Sequence, residues 1–130
     1  MLVECDQRQE RVRFGHEQET AARNWLEQKG YRFLDQNVRF YNGEIDLVME
    51  QTLSSLVLVF FEIKVRRTQN FNQAFESLSR AQMRRLQISS KKYLMNYKGF
   101  AKEMRWDLMV LSKEGLTGFE WTHVQNFLPC

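Results

Sequence analysis

An apolar run, Leu56-Val57-Leu58-Val59-Phe60-Phe61, ends abruptly in Glu62-Ile63-Lys64-Val65-Arg66. A stretch apolar on both faces predicts a strand in the middle of a sheet. Side chains alternate along a strand, so Leu58, Phe60, Glu62 and Lys64 share one face. A central strand thus delivers a carboxylate and an ammonium side by side where its buried part ends. Burying such charges without partners is costly, and a metal ion with a phosphate is one arrangement that compensates. The preceding segment, Gly43-Glu44-Ile45-Asp46-Leu47-Val48-Met49, has the same feature: Ile45, Leu47 and Met49 on one face, Glu44 and Asp46 with Val48 on the other. A short loop joins the two segments, which predicts antiparallel pairing. If paired positions sum to an even number, about 106 or 108, Asp46 lies beside Phe60 or Glu62 and on the face of Glu62. A register shifted by one separates the carboxylates.

Two carboxylates and water suit magnesium or manganese, which favour hard oxygen ligands and keep part of their hydration shell. Such an ion polarises a phosphodiester and lowers the pKa of a bound water. Lys64 next to it orients the nucleophile or offsets developing charge. The same residues also fit a structural Glu62–Lys64 pair with Asp46 solvated, and the pattern alone leaves both readings open.

The elements that must position these residues are readable from periodicity. Phe14, Ala21, Ala22, Trp25 and Leu26 recur at helical spacing and predict a helix over Val12 to Lys29, with Gly30 as a left-handed cap. Tyr31 to Tyr41 reads as extended, Asn42-Gly43 as a tight hairpin turn, Glu44 to Glu50 and Leu56 to Arg66 as strands. A second helix is predicted over Ser77 to Tyr97, burying Met83, Leu86, Ser90, Tyr93, Leu94 and Tyr97 and ended by Gly99. Strands follow at Met104 to Leu111 and Phe119 to Val124. The order helix, three strands, helix, strand, strand is that of an α/β fold with a mixed sheet flanked by helices.

With 130 residues, 43% of them apolar, the chain fits one domain with a real core, over about residues 12 to 127. It has no apolar run long enough to cross a bilayer, and Met1 to Gln9 lacks the apolar stretch of a secretion signal; a cytoplasmic protein without membrane contact is the expectation. Cys5 and Cys130 form no disulfide framework, and His16 and His123 read as ordinary surface or edge residues. The net charge of +3 says little, but Ser79 to Lys98 holds Arg80, Arg84, Arg85, Lys91, Lys92 and Lys98 with no acidic residue. That face fits a polyanion or a solvated helix surface. Trp25, Trp106 and Trp121 fall on predicted apolar faces and read as core. Tyr93, Leu94 and Tyr97 read as core or a dimer surface, and Asp107 as a residue stabilising a strand end.

Gly43-Glu44-Ile45-Asp46-Leu47-Val48, followed by Val59-Phe60-Phe61-Glu62-Ile63-Lys64-Val65-Arg66, resembles the uncharacterised YraN-type family. Its members are counted among restriction-endonuclease-like proteins and resemble archaeal Holliday-junction resolvases of the PD-(D/E)XK nuclease superfamily. The likeness extends to Gly15-His16-Glu17-Gln18-Glu19, Ala21-Ala22, Trp25-Leu26, Lys29-Gly30-Tyr31 and Arg105-Trp106-Asp107-Leu108-Met109-Val110. The resemblance implies a restriction-endonuclease-like αβββαβ core and a metal-dependent phosphodiesterase site. In it Asp46 and Glu62 hold Mg2+ or Mn2+, Lys64 is the catalytic lysine, and Glu19 completes the site. Read from the helix alone, Glu19 also fits a solvated residue paired with Arg23, and Glu44 an accessory or exposed one. Val65 departs from the small hydroxyl residue common in the family, and Gln82 from the usual basic residue of the second helix.

DNA, including branched or otherwise structured forms, is the expected partner, held by Arg66, Arg67, Arg80, Arg84, Arg85 and Lys91. No base-reading motif is evident, so recognition would be by shape. Such resolvases act as symmetric dimers, which makes a homodimer a further expectation. Two other functions remain open: a non-catalytic nucleic-acid-binding module that keeps the nuclease fold, and a structural or protein-interaction domain, which would leave the carboxylates unexplained.

Overall fold

The computed structural model describes residues 17–66, 78–113 and 119–130. Within them a helix over residues 17–27 (α1) leads to β1 (Arg32–Phe40), β2 (Gly43–Thr52), β3 (Leu56–Arg66), α2 (Arg80–Asn96), β4 (Glu103–Lys113) and β5 (Phe119–Leu128). The five strands form one sheet in chain order. β3 and β4 run parallel and every other neighbouring pair antiparallel. A parallel pair needs a crossover, and α2 lies within it. This is the mixed α/β sheet with flanking helices that the sequence pattern predicts, consistent with the restriction-endonuclease-like order that the family resemblance implies. No helix among the described residues is long and apolar enough to cross a membrane.

Local chemistry sets the element ends. Gly30, at φ 97°, donates its N–H to Glu27 at 3.1 Å, and Tyr31 donates to Leu26 at 3.1 Å, the paired bonds of a left-handed helix cap. α2 starts at Arg80, later than the expected Ser77, because Ser79 is extended and caps it. The Gln82 N–H donates to the Ser79 hydroxyl at 3.1 Å, and the Ser79 N–H donates to the Gln82 side-chain carbonyl at 2.9 Å. The helix stops at Asn96, ahead of Gly99, because Tyr97 is already extended. β5 outruns the expected Val124 and reaches Leu128. The register shifts between Trp106 and Leu108 on β4, and Asn126 takes a φ of 56°, so a bulge carries the strand on.

The hairpin turn also sits one residue earlier than expected. Phe40 pairs with Gly43, leaving Tyr41 and Asn42 as the loop. Among the described residues left-handed backbone occurs at Gly30, Asn37 and Asn126, so the turn does not need Gly43 for its conformation. Gly43 serves packing instead: a Cβ there would lie 2.6 Å from Ser89 Oγ on α2. The bare backbone lets β2 begin against the helix.

Three apolar clusters cover the sheet faces, the smallest of them Leu78 with Leu108 and Val110. Leu47, Met49, Val57, Val59 and Phe61 pack with Leu26 and Tyr31 at the end of α1. Val48, Leu58, Phe60 and Trp106 pack with Leu86 of α2. Trp106 is fully buried, and Trp25 and Trp121 pack against the cluster that holds Leu26 and Tyr31, as expected for core residues. Ile45 corrects the expected alternation. It joins Val48, Leu58 and Phe60, not Leu47 and Met49. The in/out pattern of β2 therefore breaks at Asp46. By the register, the residue opposite is Asn37 on β1, with its left-handed backbone.

Candidate functional site

Leu47 pairs with Phe61 and Val48 with Phe60, the even register, which carries Asp46 to the position opposite Glu62. At that point a side chain replaces the ladder: the Ile63 N–H donates to Asp46 Oδ2 at 2.8 Å. Asp46, Glu62 and Lys64 line one cavity of about 200 Å³ together with Glu44 and with Gln82 and Arg85 of α2. Lys64 Nζ lies 3.2 Å from Glu62 Oε1. On another side, one carboxylate oxygen each of Glu19, Glu44 and Asp46 falls within 4.8 Å of the others, a cluster able to hold a cation. Glu19 is thus at the cluster, while Arg23 pairs with Glu27 at 2.6 Å. Glu44, which reads from sequence as accessory or exposed, is the residue the sequence undervalues. Its signal is position: it follows Gly43 where β2 meets α2.

Electrostatics mark Asp46 as the centre. Burial pushes its carboxyl well above the usual aspartate range, and the charges of Glu62, Glu19 and Glu44 push the same way, against the Ile63 hydrogen bond. Glu62 is also raised by burial, with the Lys64 ammonium working against the rise. Among the described residues Lys64 is the one lysine lining the cavity, and it is engaged by Glu62.

The expected basic residues separate into groups. Arg80, Arg84 and Arg85 line a neighbouring groove of about 790 Å³ with Tyr41, Asn42 and Ile88, and Arg85 also lines the acidic cavity. Lys91 is exposed on α2 but lines neither. Arg66 turns back on the chain, donating to the Val65 carbonyl at 2.9 Å. Arg67, His16 and Cys5 lie outside the described residues, and Cys130 is exposed.

A model described as Uncharacterised protein family UPF0102 matches residues 18–111, a span that runs from α1 into β4 and contains every carboxylate of the site. The chain belongs to this family. A UPF0102 protein of Vibrio campbellii is 36% identical over 103 residues, covering 78% of this chain and 82% of its own. A UPF0102 protein of Shewanella oneidensis is 39% identical over 84 residues, 65% of this chain and 75% of its own. The UPF0102 protein YraN of Salmonella newport is 31% identical over 118 residues, 89% and 88% of the two chains.

His123 and Asp107 of this UPF0102 chain correct the sequence reading. His123 is not an ordinary edge residue. Its side chain is mostly buried among the rings of Trp25, Tyr31 and Phe61, and its Nε2 lies 2.8 Å from Asp107 Oδ2. Gln82 gives its side-chain carbonyl to the α2 cap, accepting the Ser79 N–H. Asp107 lies within β4, not at the strand end expected of it, and ties that strand to β5. Fully buried, it accepts from Arg105 at 2.7 and 2.8 Å and from the Asn126 N–H at 2.9 Å.

Proposed function

We propose that this chain hydrolyses phosphodiester bonds in DNA, including branched or otherwise structured DNA, using Mg2+ or Mn2+ held by Asp46 with Glu62, Glu19 and Glu44. The observation that carries the proposal is Asp46, a carboxylate pressed by burial and by three other carboxylates into an environment that resists its ionisation. A hard divalent cation is the ligand that reverses this balance, because all donors in the set are oxygens. When bound, such an ion makes the phosphorus more electrophilic and an attached water more acidic.

The chain's own residues have separate tasks. Asp46 is oriented by the Ile63 N–H, which fixes its carboxylate beside Glu19 and Glu44. Lys64, oriented by Glu62, supplies positive charge where the attacked phosphate accumulates negative charge. Arg85 links the acidic cavity to the basic wall of α2, whose first turn carries no acidic residue and presents the positive end of its dipole. Hydrolysis then adds water across one P–O bond, the proton passing to the departing oxygen.

The test is cleavage of single-stranded, duplex, flap and four-way-junction DNA with each metal. Asp46→Asn and Glu62→Gln should abolish cleavage, a loss of at least about a hundredfold, while leaving binding in chelator largely intact. Parent protein that binds DNA but cleaves none of these forms, and takes up no Mn2+ by calorimetry, would instead be a non-catalytic binding module.

A further inference from the structure

Tyr41 is 95% exposed, at the tip of the β1–β2 hairpin, although most large aromatic side chains of the described residues pack inside. It is not on a loose loop. The Phe40–Gly43 pair closes the hairpin directly beneath it, and Gly43 abuts Ser89 and Arg85 of α2 without room for a Cβ. The tip is therefore pinned beside the basic stretch of α2. Tyr41 and Asn42 form one wall of the groove there, and Arg80, Arg84 and Arg85 with Ile88 form the other. Among the described residues none of these three arginines is in an ion pair. The groove leads into the acidic cavity: Arg85 lines both, and Asn42 is followed directly by Gly43 and Glu44 of that cavity.

A ring facing cations and an Ile side chain, in a groove of about 790 Å³, matches the chemistry of one flat base with its phosphates. Tyrosine and guanidinium planes stack on any base, and arginines take the backbone charge. Base pairs stacked within a duplex do not offer a face to such a groove; an unpaired nucleotide does. We propose that Tyr41 and the arginine wall form a stacking subsite for an unpaired nucleotide adjoining the phosphate in the acidic cavity. The subsite would select DNA with a single-stranded extension next to a duplex. This rests on the nuclease reading above for the neighbouring phosphate, and it adds to it a substrate feature and a residue, Tyr41.

Binding in chelator separates the two. The probes are a blunt hairpin duplex and the same duplex with a short 5′ or 3′ single-stranded extension carrying 2-aminopurine, whose fluorescence is quenched by stacking. The parent should favour an extended form and quench the probe at one extension position. Tyr41→Ala should weaken binding of that form by about 5- to 150-fold, the range for loss of one base–aromatic stack, and leave the blunt duplex unaffected. Tyr41→Phe should keep both the preference and the quench. Because the side chain is exposed, all variants should unfold at the parent's temperature. Equal affinity of the parent for blunt and extended DNA, or an unchanged preference in Tyr41→Ala, overturns the subsite even if Mn2+-dependent cleavage is found. Conversely, a Tyr41-dependent preference in a protein that cleaves nothing upholds the subsite as a binding feature and removes the nuclease reading alone.

Discussion

Asp46 on β2 and Asp107 on β4 occupy places of the same kind. Each accepts a backbone N–H from a neighbouring strand, Ile63 at 2.8 Å and Asn126 at 2.9 Å. Each is near an irregularity containing an asparagine at φ 56°, Asn37 in one case and Asn126 in the other. Their surroundings are opposite. Asp107 meets Arg105 through two hydrogen bonds and His123 through a third, and these hold its carboxyl below the usual aspartate range despite full burial. Asp46 meets Glu62, Glu19 and Glu44, and is driven up. A carboxylate kept for stability is supplied with cations by its own chain. One kept among other carboxylates costs stability until something from outside neutralises it, which is how a binding centre differs from a structural one built with the same residue type.

The largest effect should follow from breaking the satisfied site. Asp107→Asn can still accept the Asn126 N–H but leaves Arg105, mostly buried, without its charge partner. Loss of one member of a buried pair costs about 3–5 kcal/mol. Urea unfolding at neutral pH should show that loss; a cost under about 1 kcal/mol would mean the network does not hold β4 to β5. The pH dependence has a defined sign. Because the folded-state pKa is depressed, the stabilisation is complete above the unfolded value of about 3.9 and is lost as pH falls through the folded one. The gap between parent and variant should therefore close only in strong acid.

Asp46→Asn should act in the other direction. Asparagine keeps an acceptor for Ile63 and removes a charge opposed by three neighbours, so the metal-free variant should be more stable by roughly 0.5–2 kcal/mol. Since the Asp46 pKa is raised on folding, the cost of its ionised form is full above that raised value and vanishes below about pH 3.9. The advantage of the variant should shrink as pH falls from neutral toward about 4. With Mn2+ at about a hundred times its Kd, the parent should gain about 2.7 kcal/mol and overtake the variant. Thermal unfolding with and without Mn2+ reads both signs, and a variant less stable than the parent in chelator would erase the contrast with Asp107.

The sequence reveals the acidic site more fully than the satisfied one, and the reason is locality. Glu62 and Lys64 end an apolar run, and Asp46 lies on an adjacent strand, so period-two alternation and a parity argument bring them together. Arg105 is two residues from Asp107 on β4, but His123 and Asn126 come from β5, across a bulge no pattern announces, so His123 looks like an edge residue. The β2 alternation fails at Ile45 for a related reason: a left-handed Asn37 on the neighbouring strand is invisible to a rule applied one strand at a time. Tyr41 goes unnoticed because exposure is a property of the folded hairpin, and Gly43 reads as a turn residue because close helix approach leaves no local signal.

The smallest effect is the most discriminating, because it asks whether each aspartate feels the same added charge. Gln82 lines the acidic cavity and stands in the first turn of α2. Gln82→Glu keeps an acceptor for the Ser79 N–H and adds a negative charge at the helix N-terminus, worth about 0.3–1 kcal/mol in favour of folding on its own. In the parent that gain is opposed by the carboxylates across the cavity; in Asp46→Asn one of them is gone. The substitution should therefore stabilise the Asp46→Asn background more than the parent, with a coupling energy of about 0.5–1 kcal/mol. In Asp107→Asn it should be additive within about 0.3–0.5 kcal/mol, since Asp107 is enclosed by Arg105 and His123 among the residues packed toward Tyr31. Saturating Mn2+ should diminish the coupling to Asp46, because the ion neutralises the charge that the introduced carboxylate would oppose. Equal coupling to both aspartates, or coupling to Asp46 that is indifferent to Mn2+, would show that the two carboxylates are felt through the fold as a whole and not through the cavity that holds one of them.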